Sequence, residues 1–172
     1  MRGARVVGIA GSKEKCDWMT NELGFDVAIN YKTDDMGPAL SAAAPNGIDS
    51  YFDNVGGTIL DEVLGHMNLF GRVAFCGAIS HYTAMGTNAK PPGPSNWPMI
   101  LMRRLTVQGF VVIDHVASIM EGLGEIGGLL AEGKLKFNED SRSVGIEDYV
   151  DTVNLLYNSG NTGKLMMKIA DE

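Results

Sequence analysis

Short apolar runs alternate with amphipathic stretches through most of the chain. The runs are rich in β-branched residues, and in the stretches between them apolar residues recur at helical spacing, as Ile59, Val63 and Met67 do. The pattern predicts strands over 5–10, 27–31, 48–54, 71–75 and 105–113, and helices over 13–23, 35–44, 58–67 and 116–132. Strands that alternate with helices are typical of βαβ units, so the predicted fold class is α/β with a doubly wound parallel sheet.

The last part of the chain and one long loop depart from this alternation. Residues 135–144 and 165–169 are predicted to be extended and 146–157 helical, and these elements can belong to another layer. The loop over 80–98 contains Pro91-Pro92-Gly93-Pro94, which excludes a helix or a central strand and favours a stiff polyproline segment. We interpret the loop as a lid or, alternatively, as a rigid spacer.

Composition and charge narrow the class of protein. The 172 residues are 45% apolar and 20% charged, as in a globular domain. A net charge of −7 without a basic patch argues against nucleic acid as a partner. The two cysteines are far apart and the three histidines have no ligand spacing, so no metal site is predicted. No apolar stretch is long enough for a membrane span or an export signal, so a cytoplasmic protein is expected.

Small and polar residues follow two predicted strands at the end where a doubly wound sheet binds its ligand. These are Asn54-Val55-Gly56-Gly57 and Cys76-Gly77-Ala78-Ile79-Ser80. Glycine there allows a nucleotide to approach the backbone, although an ordinary loop is the alternative. No G-x-G-x-x-G turn is identified anywhere in the chain. We therefore expect a Rossmann-type sheet that lacks its first strand and glycine-rich turn.

The residues after the first predicted strand indicate which dinucleotide this fold would bind. NAD-binding folds usually place Asp or Glu at the end of the second strand, where it accepts from the ribose 2′-hydroxyl. Here Gly11-Ser12-Lys13-Glu14-Lys15 offers a hydroxyl and two lysines at a helix N-terminus, which favours the 2′-phosphate of NADP. The alternative is a Ser-capped helix with ordinary surface lysines.

Several segments, taken together and in order, resemble the zinc-independent medium-chain dehydrogenase/reductases. Within them the likeness is to the NADPH-dependent alkenal/one oxidoreductases, which include the prostaglandin reductases and bacterial curcumin reductase. The matching segments are 6–12 with Lys15, 23–26, 30–32, 51–57, 71–73, 76–80 with Tyr82, 91–94, 109–112 and 160–164. The resemblance covers nearly the whole chain and implies NADPH as the cofactor and no metal.

The resemblance implies a role for each matching residue. Ser12, Lys15 and Tyr31 would lie at the adenosine end, where Lys15 would hold the 2′-phosphate. The residues toward the centre and the nicotinamide would be Asn54, Cys76, Gly77, Ala78, Ile79, Ser80, Phe110, Val111 and Val112, with Asn161 binding from the closing segment. Tyr82 would donate a hydrogen bond near the nicotinamide ribose and the substrate carbonyl, and it is the catalytic candidate.

The activity that the resemblance implies is reduction of the C=C bond of α,β-unsaturated ketones and aldehydes. Hydride transfer to the β-carbon develops negative charge on the carbonyl oxygen, which a neutral hydroxyl donor such as Tyr82 stabilises. A homodimer is expected, because the strand over 105–113 is apolar on both faces and lies at the sheet edge by analogy. The alternative is a catalytically silent α/β remnant that binds nucleotide weakly, or binds a partner chain.

The resemblance also bears on domain organisation. A family member begins with a catalytic domain and a first nucleotide-binding strand, whereas this chain starts, by analogy, in the helix before the second strand. We expect 1–172 to be an incomplete NADP-binding Rossmann domain, arising from a fragment, a mis-called start or a split gene. Residues 135–172 are expected to return toward the missing catalytic domain.

Three features have a plainer interpretation in terms of burial. Cys76 is interpreted as a small buried residue rather than a nucleophile. His81 is interpreted as an exposed loop histidine. The helix over 116–132 carries apolar residues at helical spacing, such as Leu123 and Ile126, and is interpreted as core.

Overall fold

The computed structural model describes residues 3–84, 93–158 and 160–169. Seven strands are present in this part of the chain: β1 (Val7–Ala10), β2 (Val27–Asn30), β3 (Ile48–Asp53), β4 (Met67–Phe75), β5 (Thr106–Gly109), β6 (Glu139–Ser143) and β7 (Lys164–Lys168). The α-helices are α1 (Lys13–Asn21), α2 (Met36–Ala43), α3 (Gly57–His66), α4 (Pro98–Met102), α5 (Val116–Ala131) and α6 (Tyr149–Asn158). Short 3₁₀ helices occupy Ile79–Ala84, Val112–His115 and Ile146–Asp148.

The chain divides into two compact units, which are described separately. The first unit comprises Met1–Lys32 and Glu121–Glu172, and the second comprises Thr33–Met120. All strand pairs in both units are parallel: β1 with β2 and β6 with β7 in the first, and β3-β4-β5 in the second. Parallel strands joined through helices confirm the α/β prediction.

The first unit opens with a βαβ element that local sequence explains well. Ser12 caps α1, because its Oγ accepts a hydrogen bond from the backbone N–H of Lys15 at 3.3 Å. The helix ends before Gly24, which has a positive φ of 72° and allows the chain to turn back into β2. A Cβ atom at Gly8 of β1 would overlap the Met19 side chain, so glycine lets α1 pack closely on the strand.

The second unit has a small core between its sheet and two helices. Its buried apolar side chains come from one face of each helix and from the middle strand, and they are Leu40, Ala43, Ile59, Val63, Leu64, Met67 and Val73. The register places Asp53, Phe75 and Gly109 side by side at the ends of β3, β4 and β5. The three carboxyl ends therefore meet at one edge of the sheet.

The structure corrects several predicted boundaries. β4 begins at Met67 rather than Gly71, and β5 ends at Gly109 because a 3₁₀ helix starts at Val112. The sequence did not predict α4. The extended segment predicted from residue 135 becomes a strand only at Glu139. Pro91 and Pro92 lie outside the described residues.

The prediction that the helix over 116–132 is core was wrong. None of the residues of α5 is buried, and Met120 is 76% exposed, because no described element covers this helix face. The string Gly122-Leu123-Gly124-Glu125-Ile126-Gly127 does have G-x-G-x-x-G spacing, but it lies inside α5. It therefore cannot form the strand-to-helix turn of a nucleotide fold. No described helix is long and apolar enough to cross a membrane.

Candidate cofactor site

Three predicted residues of the adenosine end surround the β1–α1 turn of the first unit (residues 11–15). The Tyr31 ring lies against Gly11, where an added Cβ would be 2.9 Å from the phenol oxygen. Ser12 and Lys15 begin α1 and are both half-buried. The structure thus brings together Ser12, Lys15 and Tyr31. A helix N-terminus with a nearby cation and a flat ring is suited to a phosphate beside an adenosine.

The two lysines of this turn differ in their surroundings. Lys13 Nζ forms an i,i+4 ion pair with Asp17 Oδ2 at 2.5 Å, and its side chain is 78% exposed. Lys15 is half-buried on the first turn of the helix. Glu14 between them accepts hydrogen bonds from its own backbone N–H and from Ser12, which lower the pKa of its carboxyl group. Lys13 is therefore the more exposed of the two lysines.

A second polar group in the first unit lies near Lys15 and was missed by sequence reasoning. Asp140 of β6 accepts from Arg142 at 3.0 and 3.1 Å and from the backbone N–H of Thr162 at 3.1 Å. The Arg142 hydrogen bond, then the one from Thr162 and the charges of Arg142 and Lys15, lower the pKa of Asp140 against the opposing effect of burial. The only signal in the sequence was a run of polar residues in a segment predicted to be extended.

Asn161, predicted to bind the cofactor from the closing segment, lies in the same unit. Its Nδ2 donates to the carbonyl oxygen of Gly163 at 2.8 Å, within the turn before β7. Arg142 Nη2 approaches the carbonyl oxygen of Gly160, at 3.4 Å, on the other side of this turn. The turn is therefore ordered by local hydrogen bonds, and Asn161 is half-buried within it.

In the second unit, the predicted nicotinamide-end residues follow three adjacent strand ends. Asn54, Cys76 and Phe110 each come directly after the last residue of β3, β4 and β5. Their backbones stay connected, because the N–H of Cys76 donates to Asp53 O at 2.8 Å and that of Phe110 to Phe75 O at 3.2 Å. The structure thus aligns these residues, as the sequence predicted. Val111 and Val112 follow and are exposed.

The turn after β3 (residues 54–57) and the turn after β4 (residues 76–84) interlock. The hydroxyl and the backbone N–H of Ser80 both donate to Val55 O, and the N–H of Ile79 donates to Asn54 O at 3.1 Å. Gly57 has a φ of 61°, and a Cβ there would lie 2.9 Å from Ser80 Oγ. Glycine is needed at this position both for its backbone angle and for the close approach.

After β4, the solvent exposure of two side chains, Cys76 and His81, differs from the prediction. Cys76 is an exposed free thiol, so the prediction that it is buried was wrong: it lies past the end of the strand, outside the packed layers. His81, predicted to be exposed, is half-buried, and its Nε2 is buried without a hydrogen-bond partner among the described residues. Tyr82 is 46% exposed on the 3₁₀ helix Ile79–Ala84.

Phe110 is held in place by a second aromatic ring. The centroids of Phe52 and Phe110 are 6.1 Å apart with an interplanar angle of 55°, a tilted arrangement that is favourable for aromatic pairs. This contact fixes the chain as it leaves β5. Within the described ranges, no group of three or more His, Cys, Asp or Glu side chains could hold a metal ion.

Comparison with known proteins identifies the family. Residues 1–125 match the profile of the zinc-binding dehydrogenases, and the chain belongs to that family. It is 44% identical over 99% of its length to the putative NADP-dependent oxidoreductase YfmJ of Bacillus subtilis, of which it covers 50%. It is 37% identical over its full length to half of the NADPH-dependent curcumin reductase of Escherichia coli. It is 38% identical over its full length to 49% of the NADP(+)-dependent 2-alkenal reductase of Nicotiana tabacum.

A solved structure supports the same relationship. The chain superimposes on CurA of Vibrio vulnificus, solved in complex with NADPH, with a TM-score of 0.89 at 34% sequence identity. The match covers 99% of this chain and 51% of CurA. The predicted Rossmann-type fold and the resemblance to the medium-chain reductases are confirmed. The chain spans about half the length of the curated relatives it matches.

Proposed function

We propose that this chain is the nucleotide-binding half of an NADPH-dependent reductase that acts on the C=C bond of α,β-unsaturated ketones and aldehydes. The observation that carries the proposal is the β1–α1 turn, where Lys15, Ser12 and the Tyr31 ring surround a helix N-terminus. The strand tip, Gly11-Ser12, carries no carboxylate, and the Glu14 carboxylate on the first turn of the helix is hydrogen-bonded to Ser12. Such a turn suits a 2′-phosphate. The names of the relatives, which include a curcumin reductase and a 2-alkenal reductase, support the substrate class.

The proposed cofactor contacts fall into two groups of residues. Ser12, Lys15 and Tyr31 bind the adenosine end, and Asn161 binds the cofactor from the closing segment. The residues that line the nicotinamide end are Asn54, Cys76, Gly77, Ala78, Ile79, Ser80, Phe110, Val111 and Val112. When bound, NADPH supplies the hydride for the reaction, and the protein orients it and excludes water. No step that we assign to this chain's residues uses a metal.

We further propose that the complete protein contains an N-terminal catalytic half, toward which residues 135–172 return, and that it acts in the cytoplasm. Neither Cys16 nor Cys76 forms a disulfide in the described part of the chain, which suits a reducing compartment. The completed protein is this chain preceded by its own encoded N-terminal half. If the genome encodes none, the N-terminal half of the Bacillus subtilis relative takes its place.

In the proposed mechanism, Tyr82 donates a hydrogen bond to the substrate carbonyl oxygen. In the completed protein, Tyr82→Phe is expected to lower kcat for a simple enone about 10²-fold, the usual cost of losing one oriented donor, with little change in NADPH affinity. Steady-state kinetics and a direct NADPH titration measure the two quantities. Tyr157→Phe, which removes the hydroxyl of an exposed tyrosine on α6, is the matched control. An unchanged kcat in Tyr82→Phe would show that another group donates the hydrogen bond to the substrate carbonyl oxygen.

We also propose that the completed protein is a homodimer that pairs through the β5 edge. β5 is the last strand of the β3-β4-β5 sheet, and the chain beyond it exposes apolar side chains, with Ile113 70% exposed. A two-fold partner offering the same strand would cover this edge. Light scattering should give a dimer at micromolar concentration and a monomer for Ile113→Asp. Val150→Asp on the exposed side of α6 should remain dimeric. A wild-type monomer would refute the proposal.

A further inference from the structure

Asp53 carries a fully buried carboxylate at the end of β3. The residue is 0% exposed. Its Oδ1 accepts three hydrogen bonds: from the Tyr51 hydroxyl at 3.1 Å, from the N–H of Val55 at 2.8 Å and from the N–H of Gly56 at 2.9 Å. One oxygen atom therefore folds the first two peptides of the β3–α3 turn back onto the strand.

The backbone of the same residue also binds the next turn. The Asp53 carbonyl oxygen accepts from the N–H groups of Cys76, at 2.8 Å, and Gly77, at 3.1 Å. Val55, held by Oδ1, in turn accepts from Ser80. A continuous set of hydrogen bonds thus runs from the Asp53 carboxylate through the β3–α3 turn to the 3₁₀ helix that carries Tyr82.

The conformation of the turn needs such an anchor. Gly56 has φ 67° and ψ −153°, and Gly57 also has a positive φ, so two flexible glycines follow each other. Flexible glycines lose more conformational entropy on folding than other residues do. Oδ1 restricts this segment at Val55 and Gly56. The Tyr51 hydroxyl, which is the third donor to Oδ1, stays protonated because burial, and then the charge of Asp53, raise the pKa of Tyr51.

We infer that Asp53 is a positioning residue, which holds the β3–α3 turn and the turn after β4 in the geometry that hydride transfer requires. In this role Asp53 contacts no reacting atom and acts through Val55, Gly56 and Ser80. The inference rests on the proposed function in one respect, namely that these two turns lie at the nicotinamide end of the cofactor.

The second carboxylate oxygen makes the inference testable. Oδ2 of Asp53 is buried and has no hydrogen-bond partner among the described residues. The turn therefore uses a single acceptor atom, which an asparagine side chain also provides. Asp53→Asn should keep all three hydrogen bonds to Oδ1, whereas Asp53→Ala should lose them. Tyr51→Phe removes one donor without touching either turn and is the control.

The first measurement needs no cofactor. Amide hydrogen exchange in the completed protein should become faster over residues 54–57 and also over 76–82 in Asp53→Ala, and should stay near wild type in Asp53→Asn and Tyr51→Phe. The exchange at 76–82 is informative because none of these residues is shown to hydrogen-bond to the replaced carboxylate. Faster exchange confined to 54–57 would show that the turns are not coupled and would overturn the inference.

The second measurement separates positioning from a general loss of structure. For Asp53→Ala, kcat for enone reduction should fall about 10²-fold, as misplacement by about 1 Å commonly causes, while affinity for 2′,5′-ADP stays within about twofold. Asp53→Asn should recover most of the rate. Equal loss of 2′,5′-ADP binding, or an Asn variant as slow as the Ala variant, would contradict a positioning role.

Two further outcomes are decisive. If Asp53→Ala does not fold, Asp53→Asn alone decides, since a slow and well-folded Asn variant refutes the inference. If wild-type protein shows neither 2′,5′-ADP binding nor enone turnover, the proposed function fails, and the exchange comparison still tests whether Asp53 couples the two turns.

Discussion

Replacing Lys15 with Glu is expected to weaken NADPH binding about 10²-fold while leaving NADH binding within a few-fold of wild type. Lys15 lies on the first turn of α1, next to the cap residue Ser12. Losing a charge-assisted hydrogen bond to the 2′-phosphate costs about 1.5–3 kcal/mol, and the new carboxylate adds repulsion. NADH lacks that phosphate, so it loses neither interaction.

The measurement is a pair of fluorescence titrations of the completed protein, with NADPH and with NADH. Lys13→Glu provides the matched control, because it makes the same charge reversal two residues earlier on a lysine already paired with Asp17. Lys13→Glu is expected to weaken NADPH binding less than Lys15→Glu does. The NADPH preference of the wild type should also decrease with added salt, since an exposed phosphate contact is screened. Equal losses for both cofactors in Lys15→Glu would contradict the assignment.

Local features of the fold could be predicted from the sequence because their causes are local. The apolar run at Val7–Ala10, the cap at Ser12 and the turn at Gly24 together specify strand, helix start and helix end without reference to the rest of the chain. The alignment of Asn54, Cys76 and Phe110 was also predictable. Parallel strands in a doubly wound sheet must present their carboxyl ends at one edge.

Burial could not be predicted in the same way. Helical spacing in α5 shows which residues share an apolar face, but it does not show what covers that face, and in the described structure nothing does. Cys76 follows an apolar strand and looks like a core residue in sequence, yet the strand ends one residue earlier and leaves it exposed. The solvent exposure of a residue depends on the elements that pack around it, whereas the sequence pattern describes only the element that contains the residue.

Contacts between distant residues were the other feature that sequence reasoning missed. The hydrogen bond from the Thr162 N–H and the charge of Lys15 both lower the pKa of Asp140, which also binds Arg142. Neither Thr162 nor Lys15 is near Asp140 in sequence. Asp53 is different, because an Asp two residues before a small-residue turn is a known signal for a side-chain hydrogen bond to the backbone. That signal predicts the bond to Val55 N, but not the link to Ser80.

The second large effect is expected for the 172-residue chain expressed by itself, which should not reduce enones at a measurable rate. Among the described strands, β1 is hydrogen-bonded to β2, and β3 to β4, so each has one edge without a strand partner. An open edge in each of these sheets leaves a row of backbone donors and acceptors without a strand partner.

Open strand edges expose rows of backbone N–H and C=O groups that favour association, and the total stability of a domain is only about 5–15 kcal/mol. The exposed apolar face of α5, with Met120 and Leu123, adds a surface that favours association. Thermal unfolding by circular dichroism should therefore be broad or absent for the isolated chain and cooperative for the completed protein. Oxidation of NADPH with a simple enone, followed by absorbance, should be seen only for the completed protein. A cooperative transition together with turnover in the isolated chain would mean that another segment takes the place of the first strand that the sheet is expected to lack.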